Sequence, residues 1–168
     1  IKNCCGYNLR EALADGVWDT CKLVCGSEGG FAMVTEAKLG LAPTPKAKQS
    51  ALFFFESLET GGKGIVEIRK FGPSCCEIMA ADFINLVKND RPEVASFMPD
   101  EVKTALLAEF EGQTEQEVTD QMNKCVEHLK AEGLLLDAKV ATNADDQAKL
   151  WAMRKSALPI IYNRPGVK

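Results

Sequence analysis

The chain has 168 residues, of which 46% are apolar and 26% are charged, and its formal net charge at pH 7 is −4. This length allows one sizeable core, or one compact domain with part of a second. The negative charge argues against binding to nucleic acid or to an anionic membrane surface. No apolar run approaches the roughly 20 residues that span a bilayer, so we expect no transmembrane segment.

The start of the chain and its cysteines indicate a cellular compartment. The chain begins at Ile1, with no secretory signal pattern, and we expect it to be a piece of a longer protein. Its seven cysteines are odd in number and include two adjacent pairs. Such usage is typical of reduced thiols in a cytoplasmic protein. A zinc site at Cys21 and Cys25 would need further cysteine or histidine close by in the sequence, so core or near-surface thiols are the preferred interpretation.

The first 45 residues are richer in glycine and cysteine than the rest. A short helical pattern, "LREALADG", is followed by a glycine loop and by an apolar run of period two, which predicts a strand over residues 31–41. Pro43 and Pro45 end this run, and "APTPKAKQ" indicates a linker or domain edge. We therefore predict two domains, residues 1–45 and 46–168.

Strands and helices alternate after residue 46. "SALFFFES" predicts a buried strand, and Thr60 is the predicted cap of a helix that runs to Phe71. "CEIMAADFINLVKND" predicts a second helical stretch, and "VKTALLAEFEG" predicts a strand that Gly112 closes.

The clearest helical signal begins at Thr114, which forms a capping-box pattern with Glu117. One apolar stripe follows at Val118, Met122, Cys125, Val126 and Leu129. After Gly133, "LLLDAKVAT" predicts another strand, and Asn143 or Asp145 begins the last helix. Strands joined by helices over one sheet predict an α+β sandwich of the ferredoxin-like kind.

Three glycines in five positions, Gly26, Gly29 and Gly30, precede the predicted strand over residues 31–41. Glycine lets a ligand approach the backbone, and successive free amides bind phosphate oxygens. A turn that only leads into a strand explains the glycines equally well. A P-loop is excluded because no Gly-Lys-Ser/Thr follows, and a GxGxxG fingerprint is excluded because a strand follows. "TGGKG" at residues 60–64 is interpreted as a flexible helix entry.

Two sequence motifs in the first 45 residues resemble those of a flavoprotein family. "KNCCGYNL" and "LVCGSEGGFAMVTEAKLGLAPTP" resemble the end of the FAD-binding domain in the vanillyl-alcohol oxidase/p-cresol methylhydroxylase superfamily. In the glycolate oxidase/D-lactate dehydrogenase branch of that superfamily, the usual motifs are similar to "KN..GY.L" followed by "GSEGTLGIVTEA.L.L.P.P". Further on, "ALLAEFEG" and "LWAMRKSALPII" resemble a strand and a pocket-lining helix of the family's cap domain.

The resemblance implies where FAD is bound. Residues 1–45 would be the C-terminal part of the FAD-binding domain, and residues 46–168 the first part of the cap domain. Contacts with the adenosine diphosphate half of FAD are implied for Gly26, Ser27, Glu28, Gly29, Gly30, Ala32 and Met33. Asn3, Gly6 and Tyr7 are implied in an earlier loop near the cofactor. Packing for Tyr7, and acceptance of backbone hydrogen bonds for Glu28, are the alternatives.

Arg154 stands where the family uses an arginine to hold the carboxylate of a 2-hydroxy acid. A planar guanidinium suits this task because it binds a carboxylate through two hydrogen bonds. A solvated helix arginine beside Lys155 is the alternative. Hydride transfer also needs a base, but His128 falls off the apolar stripe beside Glu127 and is predicted to be a solvated surface residue. No catalytic or metal-ligating residue is assigned, and the family's metal-binding histidine pair would lie beyond Lys168.

The resemblance implies that the parent protein is an FAD-dependent 2-hydroxy acid dehydrogenase or oxidase. A separate electron acceptor, such as an iron–sulfur protein or domain, is implied as its partner. We expect the chain alone to be inactive and to bind FAD weakly or not at all. One alternative is a non-enzymatic ferredoxin-like ligand-binding or regulatory module. Another is an interaction fragment that forms a homo-oligomer through the predicted strand over residues 31–41.

Overall fold

The structure, a computed structural model, describes residues 6–90, 96 and 98–156, together with residues 159, 162 and 166. The chain divides into two compact units, Ile1–Pro43 and Thr44–Lys168. Across the described residues, no helix has both the length and the apolar character needed to cross a bilayer.

The described part of the first unit contains only short elements. These are helix α1 (Leu9–Ala12), strand β1 (Leu13–Ala14), strand β2 (Val17–Trp18) and helix α2 (Thr20–Val24). Strands β1 and β2 pair antiparallel around Asp15 and Gly16, whose φ angles of 53° and 73° are those of a tight hairpin turn. The helix expected in "LREALADG" is confirmed over its first turn.

The strand predicted over residues 31–41 is absent, so this prediction was wrong. Residues 32–45 have no regular secondary structure, and Met33 and Leu41 are 89% and 92% exposed. A strand is stabilised by a neighbour that takes its backbone hydrogen bonds. No strand in the described part of the chain pairs with this segment, so its alternating pattern is present without a ladder.

The second unit is built on a four-stranded antiparallel sheet. Its strands are β3 (Ala47–Phe55), β4 (Cys75–Ala80), β5 (Thr104–Gly112) and β6 (Asp137–Val140). Its helices are α3 (Leu58–Arg69), α4 (Ala81–Asp90), α5 (Glu115–Ala131) and α6 (Ala144–Lys155). The strand order β4-β5-β3-β6 places the unit's first strand between its third and fourth, as in a ferredoxin-like sandwich. The predicted α+β class is therefore confirmed.

Helices cover both faces of this sheet, which explains why "ALFFF" is an unbroken apolar run rather than an alternating one. On one face, Ala51, Phe53 and Phe55 of β3 pack in a core with Ile68 of α3 and with Met122, Cys125 and Leu129 of α5. On the other face, Leu52 and Phe54 pack in a core with Ile84 and Val87 of α4 and with Leu150 and Met153 of α6.

The stretch predicted to be helical from Cys75 is a strand followed by a helix. Residues 75–80 form β4, which pairs with β5 from Cys75 opposite Glu109 to Ala80 opposite Thr104. Only from Ala81 onward does the chain form a helix. The prediction was wrong because the ladder with β5 is a long-range interaction, which overrides local spacing of apolar residues.

The helix N-termini are capped by side chains, with one shift from the prediction. Ser57, rather than Thr60, caps α3: its Oγ accepts from the Thr60 backbone N–H at 3.1 Å. Thr114 caps α5 as predicted and accepts from the Glu117 N–H at 3.2 Å. Asn143 caps α6 and accepts from the Asp146 N–H at 2.9 Å. Each cap satisfies a backbone donor that has no partner within its own helix.

Two glycines let α3 lie close to the sheet. A Cβ at Gly64 would stand 2.5 Å from the Phe55 ring, and a Cβ at Gly61 would stand 2.5 Å from Thr104 Cγ2. The "TGGKG" motif lies in the first two turns of α3, so the interpretation as a helix entry is confirmed, but two of its glycines pack closely on the sheet and the expected flexibility was wrong.

We expect Gly64→Ala to lower the free energy of unfolding by about 1–3 kcal/mol, because the added methyl group overpacks the core. The matched control is Gly62→Ala in the same helix, where no described atom lies within 4 Å of the added Cβ. That change should raise stability by up to about 1 kcal/mol, the difference in helix propensity. Urea unfolding followed by far-UV circular dichroism measures both variants. Equal effects of the two substitutions would contradict close helix–sheet packing.

Candidate functional site

The glycine loop, residues 26–30, has a backbone that requires glycine at two positions. Gly26 and Gly29 have φ angles of 85° and 81°, in the left-handed region that side chains disfavour. Glu28 also lies there, with a φ of 52°. No atom of the described residues lies within 4 Å of a Cβ built at Gly26 or Gly29, so the described backbone of the loop is open on that side.

Tyr7 lies against the glycine loop. A Cβ at Gly30 would stand 3.0 Å from the Ser27 carbonyl oxygen and 3.1 Å from the Tyr7 hydroxyl oxygen. The Gly30 N–H donates to the Ser27 carbonyl at 2.8 Å, which closes the turn. The Tyr7 ring packs on Phe31 with ring centroids 4.3 Å apart. Tyr7 thus makes a packing contact, and the structure brings it together with the loop.

The remaining residues predicted to contact FAD are distributed around this loop. Asn3 lies outside the described residues. Gly6 is exposed, with a φ of 72°. Ser27 is buried, whereas Ala32 and Met33 are exposed in the segment that follows the loop. An open, glycine-lined backbone fits the extended pyrophosphate of a dinucleotide, which needs close approach rather than side-chain contacts.

In the second unit, polar side chains gather on the sheet face that α6 covers, at the end where β3 begins and β5 ends. We call this set the polar face. It comprises Lys48 and Ser50 of β3, Glu77 of β4, Glu109 and Glu111 of β5, and Trp151 and Arg154 of α6.

Glu109 is the buried centre of the polar face, with 7% of its surface exposed. Its Oε2 accepts from the Ser50 hydroxyl at 2.9 Å and from Trp151 Nε1 at 3.1 Å. Lys48 Nζ lies 3.6 Å from its other oxygen. A buried carboxylate is costly unless it is hydrogen-bonded and paired. These bonds therefore hold α6 against the sheet.

Arg154 lies one turn beyond Trp151 on α6, and its Nε donates to Glu77 Oε2 in an ion pair. This ion pair favours an oriented arginine over the freely solvated helix arginine of the alternative interpretation. The two side chains are 38% and 35% exposed, and ion pairs at such exposure contribute little to stability. The pair orients the guanidinium through its Nε, and more than a third of the Arg154 side chain remains exposed.

His128 was predicted to be a solvated surface residue, and this prediction was wrong. The side chain is 33% exposed, and its Nε2 lies 2.7 Å from Glu67 Oε2. Hydrogen bonds from Lys70 and then His128 lower the pKa of the Glu67 carboxyl. His128 follows Cys125 by three residues, a helical spacing that placed it beside the buried stripe. It belongs to the α3/α5 side of the sheet, opposite the polar face.

The described cysteines are free thiols. Cys21 and Cys25 are exposed, Cys75 and Cys76 are half-buried, and Cys125 is buried. Desolvation raises the pKa of Cys76 to about 11 and that of Cys125 to about 12. Neither is a reactive thiolate at neutral pH. Within the described ranges, no three His, Cys, Asp or Glu residues form a group that would hold a metal ion.

The strand order and the helices on both sheet faces define an α+β sandwich domain. Its polar face includes an arginine from helix α6. Residues 44–167 match the family described as FAD linked oxidases, C-terminal domain, and the chain belongs to this family. FAD is accordingly the cofactor of the proteins in which this domain occurs, as the resemblance implied.

Two curated relatives represent the proteins that the chain resembles. D-2-hydroxyglutarate dehydrogenase of Pantoea ananatis is 22% identical over 174 residues, which cover 96% of this chain and 17% of the relative. Glycolate oxidase subunit GlcD of Escherichia coli K12 is 28% identical over 160 residues, which cover 90% of this chain and 30% of the relative. The chain thus spans less than a third of the length of either relative.

A solved structure has the same fold. A structure of alkyldihydroxyacetonephosphate synthase matches with a TM-score of 0.54 at 22% identity, over 81% of this chain and 27% of that one.

We expect Trp151→Phe to lower the free energy of unfolding by about 1–2 kcal/mol, because the buried Glu109 loses a donor while the aromatic packing is kept. The control is Trp18→Phe in β2, where the side chain is 52% exposed and the change should stay within about 0.5 kcal/mol. Urea unfolding followed by far-UV circular dichroism compares the two. A loss as large for Trp18→Phe would contradict the anchoring role of Trp151.

Proposed function

We propose that the protein containing this chain is an FAD-dependent enzyme that oxidises a 2-hydroxy acid of the glycolate or D-lactate type. The observation that carries the proposal is Arg154, a guanidinium held by its Nε on the polar face of a FAD-linked oxidase domain. Relatives named for glycolate and D-lactate support this substrate class.

Arg154 is proposed to bind the substrate carboxylate. In the described part of the chain, Glu77 is the acceptor of its Nε, and its Nη nitrogens have no acceptor. Two Nη donors match the two oxygens of a carboxylate and fix the orientation of the attached carbon. A fixed carboxylate positions the neighbouring carbon and its hydroxyl for reaction. FAD, when bound, supplies the hydride acceptor.

Residues 1–45 are proposed to be the end of the FAD-binding domain and residues 46–168 the first part of the cap domain. Two stretches would face the adenosine diphosphate half of the cofactor: the glycine loop, and Ala32 with Met33. Asn3, Gly6 and Tyr7 would lie near it. The open backbone at Gly26 and Gly29 supports this role. A separate acceptor, an iron–sulfur protein or domain, would take the electrons from the reduced cofactor.

The test uses the full-length protein that contains this chain, purified without added flavin. We expect it to be yellow and to lose its flavin absorbance when glycolate or D-lactate is added without oxygen. Arg154→Met should raise KM for the acid by about 10- to 100-fold, as expected for removal of charged hydrogen bonds. The neighbouring Lys155→Met, on an exposed side chain, should change KM by less than about twofold.

A colourless protein that does not respond to added FAD would refute the flavoenzyme. A yellow protein in which Arg154→Met and Lys155→Met behave alike would refute the role of Arg154 and leave the cofactor assignment standing.

The glycine loop yields a separate prediction for FAD retention. Gly30→Ala in the full-length protein should weaken FAD binding by about tenfold or more, because the new Cβ must displace the Ser27 carbonyl or Tyr7 hydroxyl. The control is Gly40→Ala, where the described part of the chain places no atom within 4 Å of the added Cβ. Flavin retained after dialysis, and the Kd from flavin fluorescence, measure the effect. Equal retention by both variants would show that the loop does not contact FAD.

A further inference from the structure

We propose that Glu77 is a specificity-determining residue that restricts the site to hydroxy acids with a single carboxylate. This inference rests on the proposed function and narrows its substrate class. The Glu77 carboxylate holds the Nε edge of Arg154, so it stands beside whatever ligand the Nη nitrogens receive.

Among the described residues of the polar face, one cation is left to pair with a ligand. Lys48 Nζ lies 2.5 Å from Glu111 Oε1 and 3.6 Å from Glu109 Oε1, so two carboxylates already occupy it. Arg154 is the other cation of the polar face, and it has only Glu77 as a described partner. Three carboxylates thus surround two cations, and the face carries an excess of negative charge.

A hydroxy acid with one carboxylate can pair its charge at this site, whereas a hydroxy acid with two carboxylates cannot pair the second. The first carboxylate of either acid would take the Nη nitrogens of Arg154. The second carboxylate of a hydroxy-dicarboxylate would lie near Glu77 or Glu109, where no described cation is left to receive it. Like charges repel each other at a site that is about one-third exposed, and water screens this repulsion in part. Glu77 is the closest of these carboxylates to Arg154 and is therefore the one that discriminates.

The experiment measures kcat/KM of the full-length protein for D-lactate and for D-2-hydroxyglutarate, from the rate of flavin reduction. We expect the wild-type protein to prefer D-lactate by about tenfold or more. Glu77→Gln, which keeps the shape of the side chain and removes its charge, should raise the relative kcat/KM for D-2-hydroxyglutarate by about three- to tenfold. The matched control is Glu59→Gln on α3, which removes a carboxylate that pairs with Lys63 on the opposite side of the sheet, and should change this ratio by less than about twofold.

Ionic strength provides a second measurement that needs no variant. Because salt screens repulsion between exposed charges, the relative kcat/KM for the dicarboxylate should rise with added salt in the wild-type protein. That rise should be smaller in Glu77→Gln.

A wild-type preference for D-2-hydroxyglutarate would overturn the inference, and so would a substrate ratio that neither Glu77→Gln nor salt changes. Failure of both acids to reduce a bound flavin would refute the proposed function itself, and the specificity inference with it. The two failures are therefore distinguishable.

Discussion

The hydrogen bonds from Ser50 and Trp151 to the buried Glu109 carboxylate are the interaction on which the candidate site depends. They join helix α6 to strands β3 and β5. Residues three apart on a helix lie on the same face, so anchoring Trp151 also sets the position of Arg154. A buried carboxylate that lost these donors would be strongly unfavourable. These hydrogen bonds therefore fix the position of the Arg154 guanidinium relative to the sheet.

The same strands supply both the core and the site, at different positions along their length. Leu52 and Phe54 of β3 and Leu107 of β5 pack in the apolar core under α4 and α6. Two residues further toward the end of the sheet, Ser50 and Glu109 replace that apolar contact by hydrogen bonds. The change from packing to hydrogen bonding occurs within one pair of strands. The polar face is thus supported by a rigid neighbour, which suits a site that must hold a charged group in place.

The elements that could be predicted from sequence are those whose pattern is decided locally. "ALFFF" and the stripe of α5 have their own burial patterns, and the Thr114 cap lies beside the helix that it begins. The errors arose where distant residues decide the outcome. Strand β4 exists because β5 pairs with it, whereas residues 31–41 have a strand pattern and no described partner. The glycines of α3 serve contacts with Phe55 and Thr104 that no local motif encodes.

The candidate site divides in the same way. The resemblance identified Arg154 and the glycine loop, because both lie in recognisable segments. Glu77 and Glu109 were missed, since they stand 77 and 42 residues before their partners on α6. Glutamates that alternate with apolar residues on a strand usually indicate a face open to solvent. Here that face lies under α6, so a carboxylate on it must be paired with a helix side chain. In a sheet covered on both faces, a charged residue on a central strand is therefore a sequence signal of a buried polar contact with the covering helix.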